Sequence, residues 1–275
     1  MIFLDLKKEY KKAKKEKYAL GAFNTYDLEI TQAICSAASL NRAKVIIQTT
    51  PKAIEYAGLS QIFDIVKNEI LARDILAAIH LDHSRDFGIV KKCIDIGYHS
   101  VMIDGSKLDF ESNIHLTKKV VNYAHKYGAT VEGELGVLGK SEDGKLSQQA
   151  VFTEPDKVPK FVEKSGIDAL AVSCGNEHGG PKGEKLDLTL LAKIAYKTDI
   201  PLVIHGSSGL SKNDIKAAIN LGVVKFNIDT KIKRVFQRAI AISAKKESDP
   251  REILASGRQK IEELVSDYIK IFANV

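Results

Sequence analysis

Residues 201–230, PLVIHGSSGLSKNDIKAAINLGVVKFNIDT, contain one complete repeating unit. PLVIH is a short apolar run rich in β-branched residues, and VVKFNID is a second. Between them, DIKAAINLG places apolar residues at helical spacing and ends on a glycine suited to cap a helix. The same alternation runs back through YALGAFN (18–24), VIIQTT (45–50), ILAAIHLD (75–82), SVMIDGS (100–106), TVEGELG (130–136) and LAVSCGN (170–176). Helical patterns such as DFGIVKKCIDIGY (86–98) and NIHLTKKVVNYAHKYG (113–128) separate these runs. Eight strands alternating with helices over about 250 residues predict an α/β protein, a (β/α)8 barrel. With no linker or break in composition, residues 1–275 read as a single barrel domain with a C-terminal helical extension. A doubly wound open sheet has the same alternation and is the competing architecture, because periodicity does not reveal closure.

Composition narrows the function classes. The chain has 44% hydrophobic and 28% charged residues, enough to bury a large core. No apolar run approaches the roughly 20 residues needed to span a bilayer, and MIFLDLKKEYKKAKKEK lacks a signal peptide's apolar stretch. A cytoplasmic protein without a membrane partner is expected. Cys35, Cys93 and Cys174 stand far apart with no CxxC pair, and read as small buried apolar residues. Much of the net charge of +6 lies in KKEYKKAKKEK (7–17), an amphipathic helix with Tyr10 and Ala13 facing inward. No basic stripe is interleaved with aromatics, so nucleic acid is not an expected partner, and the charge favours anions only mildly.

In a (β/α)8 barrel the active site lies at the C-terminal ends of the strands. Those ends carry Asn24, Asp82 with His83, Asp104, Glu134, the group Asn176, Glu177 and His178, then His205, and Asn227 with Asp229. Seven of the eight strands therefore end on groups able to ligate, donate or titrate. His115 and His125 fall in a helical pattern, His99 precedes a strand, and His80 lies inside one; all four read as structural or solvated. His83, His178 and His205 follow three different strands, and three imidazoles with an open fourth position make a catalytic zinc arrangement if they converge. HGSSGLSKNDIKAAI sets glycines and serines between a strand and a helix, where backbone N–H groups can hold an anion. NIDTK follows the eighth strand at the other frequent phosphate position, and HGGPKGEK adds Lys182 as a point charge.

Taken in order, AFN, HLDHS, SVMIDGS, VEGELG with the following SEDG, GNEHG, LVIHGSSG and KFNIDT resemble the zinc-dependent class II aldolases of fructose and tagatose bisphosphate. The C-terminal DPREIL is similar as well, so the resemblance covers nearly the whole chain. It implies a lyase of glycolytic type, dimeric or tetrameric, that joins dihydroxyacetone phosphate to an aldehyde or cleaves the product through a zinc-stabilised enediolate. By that resemblance His83, His178 and His205 hold Zn2+, and Asp104 and Glu134 surround a more buried metal position. Asp82 exchanges a proton with the C4 hydroxyl, and Glu142, in the loop GKSEDG, moves the proton beside the carbonyl. Asn24, Gly179, Lys182, Gly206, Ser207, Ser208 and the turn Asn227, Ile228, Asp229 and Thr230 bind the dihydroxyacetone phosphate end. Backbone around Glu177, Gly179 and Gly206 resembles a monovalent cation site for Na+ or K+.

Two positions depart from the family pattern. Glu177 stands where a small or apolar residue is expected, and Lys231 where many fructose bisphosphate members carry an acid. Arg251 and Arg258 are candidates for the second phosphate. The resemblance favours fructose 1,6-bisphosphate, followed by its C4 epimer tagatose 1,6-bisphosphate and then other ketose phosphates. A zinc barrel hydrolase or sugar-phosphate epimerase would use the same metal and phosphate features. A non-catalytic sugar-phosphate sensor would have lost an acid–base group, whereas Asp82 and Glu142 are both present.

Overall fold

The structure is a computed structural model describing residues 3–142, 145–148, 150–178 and 185–273; for 140–142, 145–148, 177 and 178 only the backbone is described. The strands in chain order are β1 (Leu20–Asn24), β2 (Val45–Thr49), β3 (Ala77–Ser84), β4 (Ser100–Ile103), β5 (Thr130–Leu135), β6 (Gly139–Glu142), β7 (Lys145–Gln148), β8 (Ala169–Val172), β9 (Glu177–His178), β10 (Leu202–Ile204) and β11 (Val223–Ile228). Eight of them, β1, β2, β3, β4, β5, β8, β10 and β11, close into a parallel barrel in sequence order, which settles closure against the open sheet. The other three form a small separate sheet in the order β7, β6, β9.

Alternation along the strands separates two apolar cores. Ala77, Ile79 and Leu81 of β3 point outward and pack with the helix faces, among them Ile30, Ile34, Val66 and Val90. Ala78 points inward and joins Ile46, Met102, Ala169, Ala171, Val203 and Val224 at the bottom of the barrel. Leu6, Tyr10 and Ala13 of the helix Leu6–Glu16 close that end, so the lysine-rich segment is an amphipathic plug as its spacing predicts. With the floor filled by small apolar side chains, the upper interior is left to polar groups.

The long C-terminal helix Pro250–Phe272 is anchored by Phe272, whose carbonyl accepts from Ala19 N at 2.9 Å. Its ring is buried and stacks on Phe226 at 5.1 Å between centroids and on Tyr268 at 5.6 Å. Phe272→Ala is expected to cost about 3–5 kcal/mol of stability, the usual range for emptying a buried aromatic site. Urea denaturation checks this; a change below about 1 kcal/mol would show the helix to be held elsewhere. The three cysteines are buried, and burial pushes each thiol up to about 12. Among the described residues no helix is long and apolar enough to cross a membrane.

Candidate active site

Two irregularities in the barrel build the site. Pairing of β3 with β4 passes from Leu81↔Val101 to Ser84↔Ile103, so β3 carries one extra residue there. His83 sits in this bulge with φ +49, a left-handed conformation that costs a non-glycine residue on the order of 1–3 kcal/mol. In a regular strand Asp82 and His83 would face opposite sides. Here both side chains reach one point: Asp82, His83 and His205 each bring a ligand atom within 4.8 Å of the others. The second bulge is in β11, where pairing with β10 passes from Val223↔Leu202 to Lys225↔Val203. Val224 faces the barrel floor, and its neighbour Lys225 also turns inward to reach Glu132.

Asp82 is buried and held by amides. Asn227 Nδ2 donates to its Oδ1 at 3.0 Å, Asn24 Nδ2 donates to its Oδ2 at 3.0 Å, and Gln48 Nε2 approaches the same oxygen at 3.3 Å. Burial alone would raise the pKa of this carboxyl, but His83, His205, Lys225 and the Asn24 amide together hold it below the ordinary value. The ionised form, able to accept a proton, is therefore the resting form.

His205 is oriented from below. Its Nε2 lies 2.6 Å from Glu132 Oε1, and Lys225 Nζ donates to Glu132 Oε2 at 2.9 Å, all three fully or almost fully buried. A carboxylate can only accept, so the proton of His205 belongs on Nε2 and the lone pair on Nδ1. That Nδ1 points to His83 Nε2 at 2.7 Å, which is the arrangement of a histidine prepared as a metal ligand by an outer carboxylate. Below it, His80 Nδ1 is 2.8 Å from Ser100 Oγ, and burial followed by the charge of Lys225 lowers its pKa well below the usual value, so it stays neutral.

Asp104 and Glu134 face the other edge of His83, with His83 Nδ1 at 4.0 Å from Asp104 Oδ2 and 3.8 Å from Glu134 Oε2. Burial, and then the nearby Asp104 and Glu132, push the Glu134 carboxyl well above its ordinary value. Its Oε2 is buried without a hydrogen-bond partner among the described residues, a costly state for a polar atom. The donor types, two imidazoles and several carboxylates, suit zinc.

The remaining expected residues divide by position. Gly206 adopts φ +65 and leads into a 3-10 turn, Ser207–Gly209, in which Ser207 Oγ donates to Ile204 O and is spent on the turn. Ser208 contributes its carbonyl to Tyr268 Oη at 3.4 Å. Ile228 ends β11, and Asp229 stands at the position before the helix Thr230–Ser243 without a side-chain capping hydrogen bond. Asp229 Oδ2 accepts from Lys233 at 2.6 Å, and burial raises its pKa despite that partner. Asn176, expected at the rim, is a structural clamp that donates to the carbonyls of Val172 and His205. Glu142 corrects a sequence expectation: GKSEDG reads as a loop, yet the backbone of Gly139–Glu142 is a strand that pairs with Lys145–Gln148. The same strand pairs Lys140 with His178, so the segments that carry Glu142 and His178 are joined. The side chains of those two residues, and Gly179 and Lys182 altogether, lie outside what the structure describes.

Sequence reasoning missed Glu132, Lys225, Gln48 and Arg85. Glu132 was accessible in principle, because it precedes Glu134 by two residues and so shares its face. Lys225 was accessible on the same ground, because it precedes Asn227 by two residues; what the bulge adds is that its neighbour Val224 faces inward as well.

Comparison with known proteins agrees with this geometry. A family model described as fructose-bisphosphate aldolase class-II matches residues 4–275. A fructose-bisphosphate aldolase of Geobacillus stearothermophilus is 37% identical over 281 residues, covering 100% of this chain and 98% of the relative. The crystal structure of the YdjI aldolase from Escherichia coli K12 superposes with a TM-score of 0.88 at 29% identity, covering 98% of this chain and 97% of that one. The fructose-bisphosphate aldolase of Campylobacter jejuni shares the fold at a TM-score of 0.82 and 23% identity, covering 98% of this chain and 95% of the other. The match over nearly the full length, on a closed barrel whose strand ends gather an acid and two histidines, places the chain in the class II fructose-bisphosphate aldolase family, as a lyase acting on ketose bisphosphates.

Proposed function

We propose that the chain reversibly cleaves fructose 1,6-bisphosphate to dihydroxyacetone phosphate and glyceraldehyde 3-phosphate, with zinc held by His83, His178 and His205. The observation that carries this reading is the Asp82 carboxylate, ionised and fixed by three amides beside the donor atoms of His83 and His205. When bound there, zinc supplies Lewis-acid stabilisation of the negative charge that develops on the ketose carbonyl oxygen as the C3–C4 bond breaks.

Asp82 takes the C4 hydroxyl proton in cleavage and returns it in condensation, a role that needs an ionised, oriented acceptor. Asn24 and Asn227 keep its lone pairs aimed while presenting their own amides to substrate hydroxyls. Glu142 moves the proton on the carbon beside the carbonyl from a hairpin suited to exclude water. Gly206, Ser207 and Ser208 with the turn Asn227 to Thr230, joined by Gly179 and Lys182, hold the phosphate of the dihydroxyacetone end; the left-handed Gly206 and the helix opening at Thr230 support this. A bound Na+ or K+ near the backbone of Glu177, Gly179 and Gly206, a homodimeric or homotetrameric assembly and a cytoplasmic location complete the proposal. Lys225 does not support Schiff-base chemistry, because its amine is engaged by Glu132 below the site and not exposed as a nucleophile.

Cleavage of fructose and tagatose 1,6-bisphosphates side by side tests the reading. Activity should vanish on chelation and return with zinc, and the ratio of kcat/KM names the preferred sugar. If zinc-loaded protein cleaves neither, the bisphosphate reading fails.

A further inference from the structure

The imidazole of His83 offers its two nitrogens to two separate donor groups. Nε2 lies 2.7 Å from His205 Nδ1 and 4.0 Å from Asp82 Oδ1. Nδ1 faces Asp104 Oδ2 at 4.0 Å and Glu134 Oε2 at 3.8 Å. In the second group, too, the ligand atoms of His83, Asp104 and Glu134 lie within 4.8 Å of one another. Two cation positions thus flank one ring, and the protein treats them differently.

At the second position a side chain is already in place. Arg85 Nε and Nη2 both donate to Asp104 Oδ2, at 2.9 and 2.7 Å, and this is the oxygen that faces His83. The other oxygen, Oδ1, accepts from Ser106 N at 3.1 Å and Ser106 Oγ at 2.5 Å. A carboxylate oxygen has two in-plane lone pairs, so both oxygens of Asp104 are fully engaged. A divalent ion binding there must first displace a permanently charged guanidinium and would then be repelled by it at short range. Glu134 Oε2 keeps an open lone pair, but one carboxylate with one imidazole is a poor site. The Arg85 side chain is 56% exposed, so the contest is a competition, not a steric block.

We propose that Arg85 is a positioning residue that stands in for a cation at the Nδ1 edge of His83 and so confines the chain to one divalent-metal position, at the Nε2 edge. The inference rests on the zinc reading of the proposed function, and its test separates the two. Metal-free wild type, Arg85→Ala and Arg85→Lys are titrated with zinc against a chromophoric chelator, and bound metal is counted by elemental analysis. Circular dichroism first establishes that each is folded, because Arg85→Ala leaves the buried Asp104 carboxylate with Ser106 but without its cation, whereas Arg85→Lys keeps the charge.

Wild type should take one tight equivalent. Arg85→Ala should take a second, bound roughly tenfold or more tightly than any second equivalent in wild type, the scale of losing a competing charge-assisted pair. Arg85→Lys, which keeps the charge but not the fork, should fall between them. Adding Asp104→Asn to Arg85→Ala should abolish the second equivalent. The proposal is overturned if wild type and Arg85→Ala bind the same number of equivalents with the same affinities. A raised KM with unchanged metal content would instead assign Arg85 to the substrate and also overturns it. If wild type binds no zinc at all, the zinc reading fails together with the inference built on it.

Discussion

Asp82→Asn lowers the rate of bisphosphate cleavage about 10²–10⁴-fold, the range lost with a positioned acid–base group, while zinc binding survives. The asparagine has the same shape but cannot take a proton from the C4 hydroxyl. It also turns at least one of the three amide contacts into a donor facing a donor, since Asn227, Asn24 and Gln48 all donate to Asp82 in the wild type. A stability loss of about 1–3 kcal/mol should accompany the loss of rate, as for a buried donor left unpaired. Steady-state kinetics beside a zinc titration separate the effects; a fall in kcat of less than tenfold with metal retained would remove Asp82 from the proton-transfer role.

The acid behaviour follows with its sign. The folded-state pKa of Asp82 is below the unfolded value, so its ionised form stabilises the fold at every pH above the ordinary carboxylate range. That contribution declines as the pH falls through the lowered folded-state value. Asp82→Asn should therefore show a shallower acid limb in stability than wild type.

Glu132→Gln produces the second large effect, on stability and metal affinity together. Lys225 is completely buried and its ammonium is bonded to Glu132, so neutralising the carboxylate leaves an uncompensated charge inside the barrel. The expected cost is about 3–5 kcal/mol, on the order of 10 °C in Tm for a chain of this size. The same substitution offers His205 Nε2 an amide that can donate as well as accept, and the tautomer with a lone pair on Nδ1 is no longer enforced. Loss of an outer carboxylate of this kind typically weakens metal binding about 10–100-fold.

The double variant Glu132→Gln, Lys225→Met separates these contributions. Removing both members of a buried pair is often close to neutral, so most of the stability should return. Zinc affinity should not, because His205 still lacks its carboxylate. Recovery of both would show that Glu132 acts only through stability.

The barrel was legible because periodicity is a property of the chain. Apolar runs about five residues long between helical patterns leave few architectures, and glycine ends such as Gly97 and Gly222, both with positive φ, mark where helices stop. The rim was legible for a related reason: parallel strands all end on the same side, so Asp82, Glu134, His205 and Asn227 must share one face of the barrel once the fold is granted. The family resemblance then attached roles to those positions.

What the tertiary structure alone decided is which neighbours face the same way and what partners they find. Period-2 alternation would send Asp82 and His83 to opposite sides, and Val224 and Lys225 likewise; a bulge in each strand brings both members of each pair inward. A bulge depends on the register of two strands that are distant in sequence, so no local pattern encodes it. The outer support of His205 and the guanidinium on Asp104 depend in the same way on contacts across 93 positions for Lys225 with Glu132 and 19 for Arg85 with Asp104. Alternation and strand polarity are local and determined by the sequence itself, whereas the distances that make a carboxylate ionised, a histidine a ligand or an arginine a stand-in cation arise only when the barrel closes.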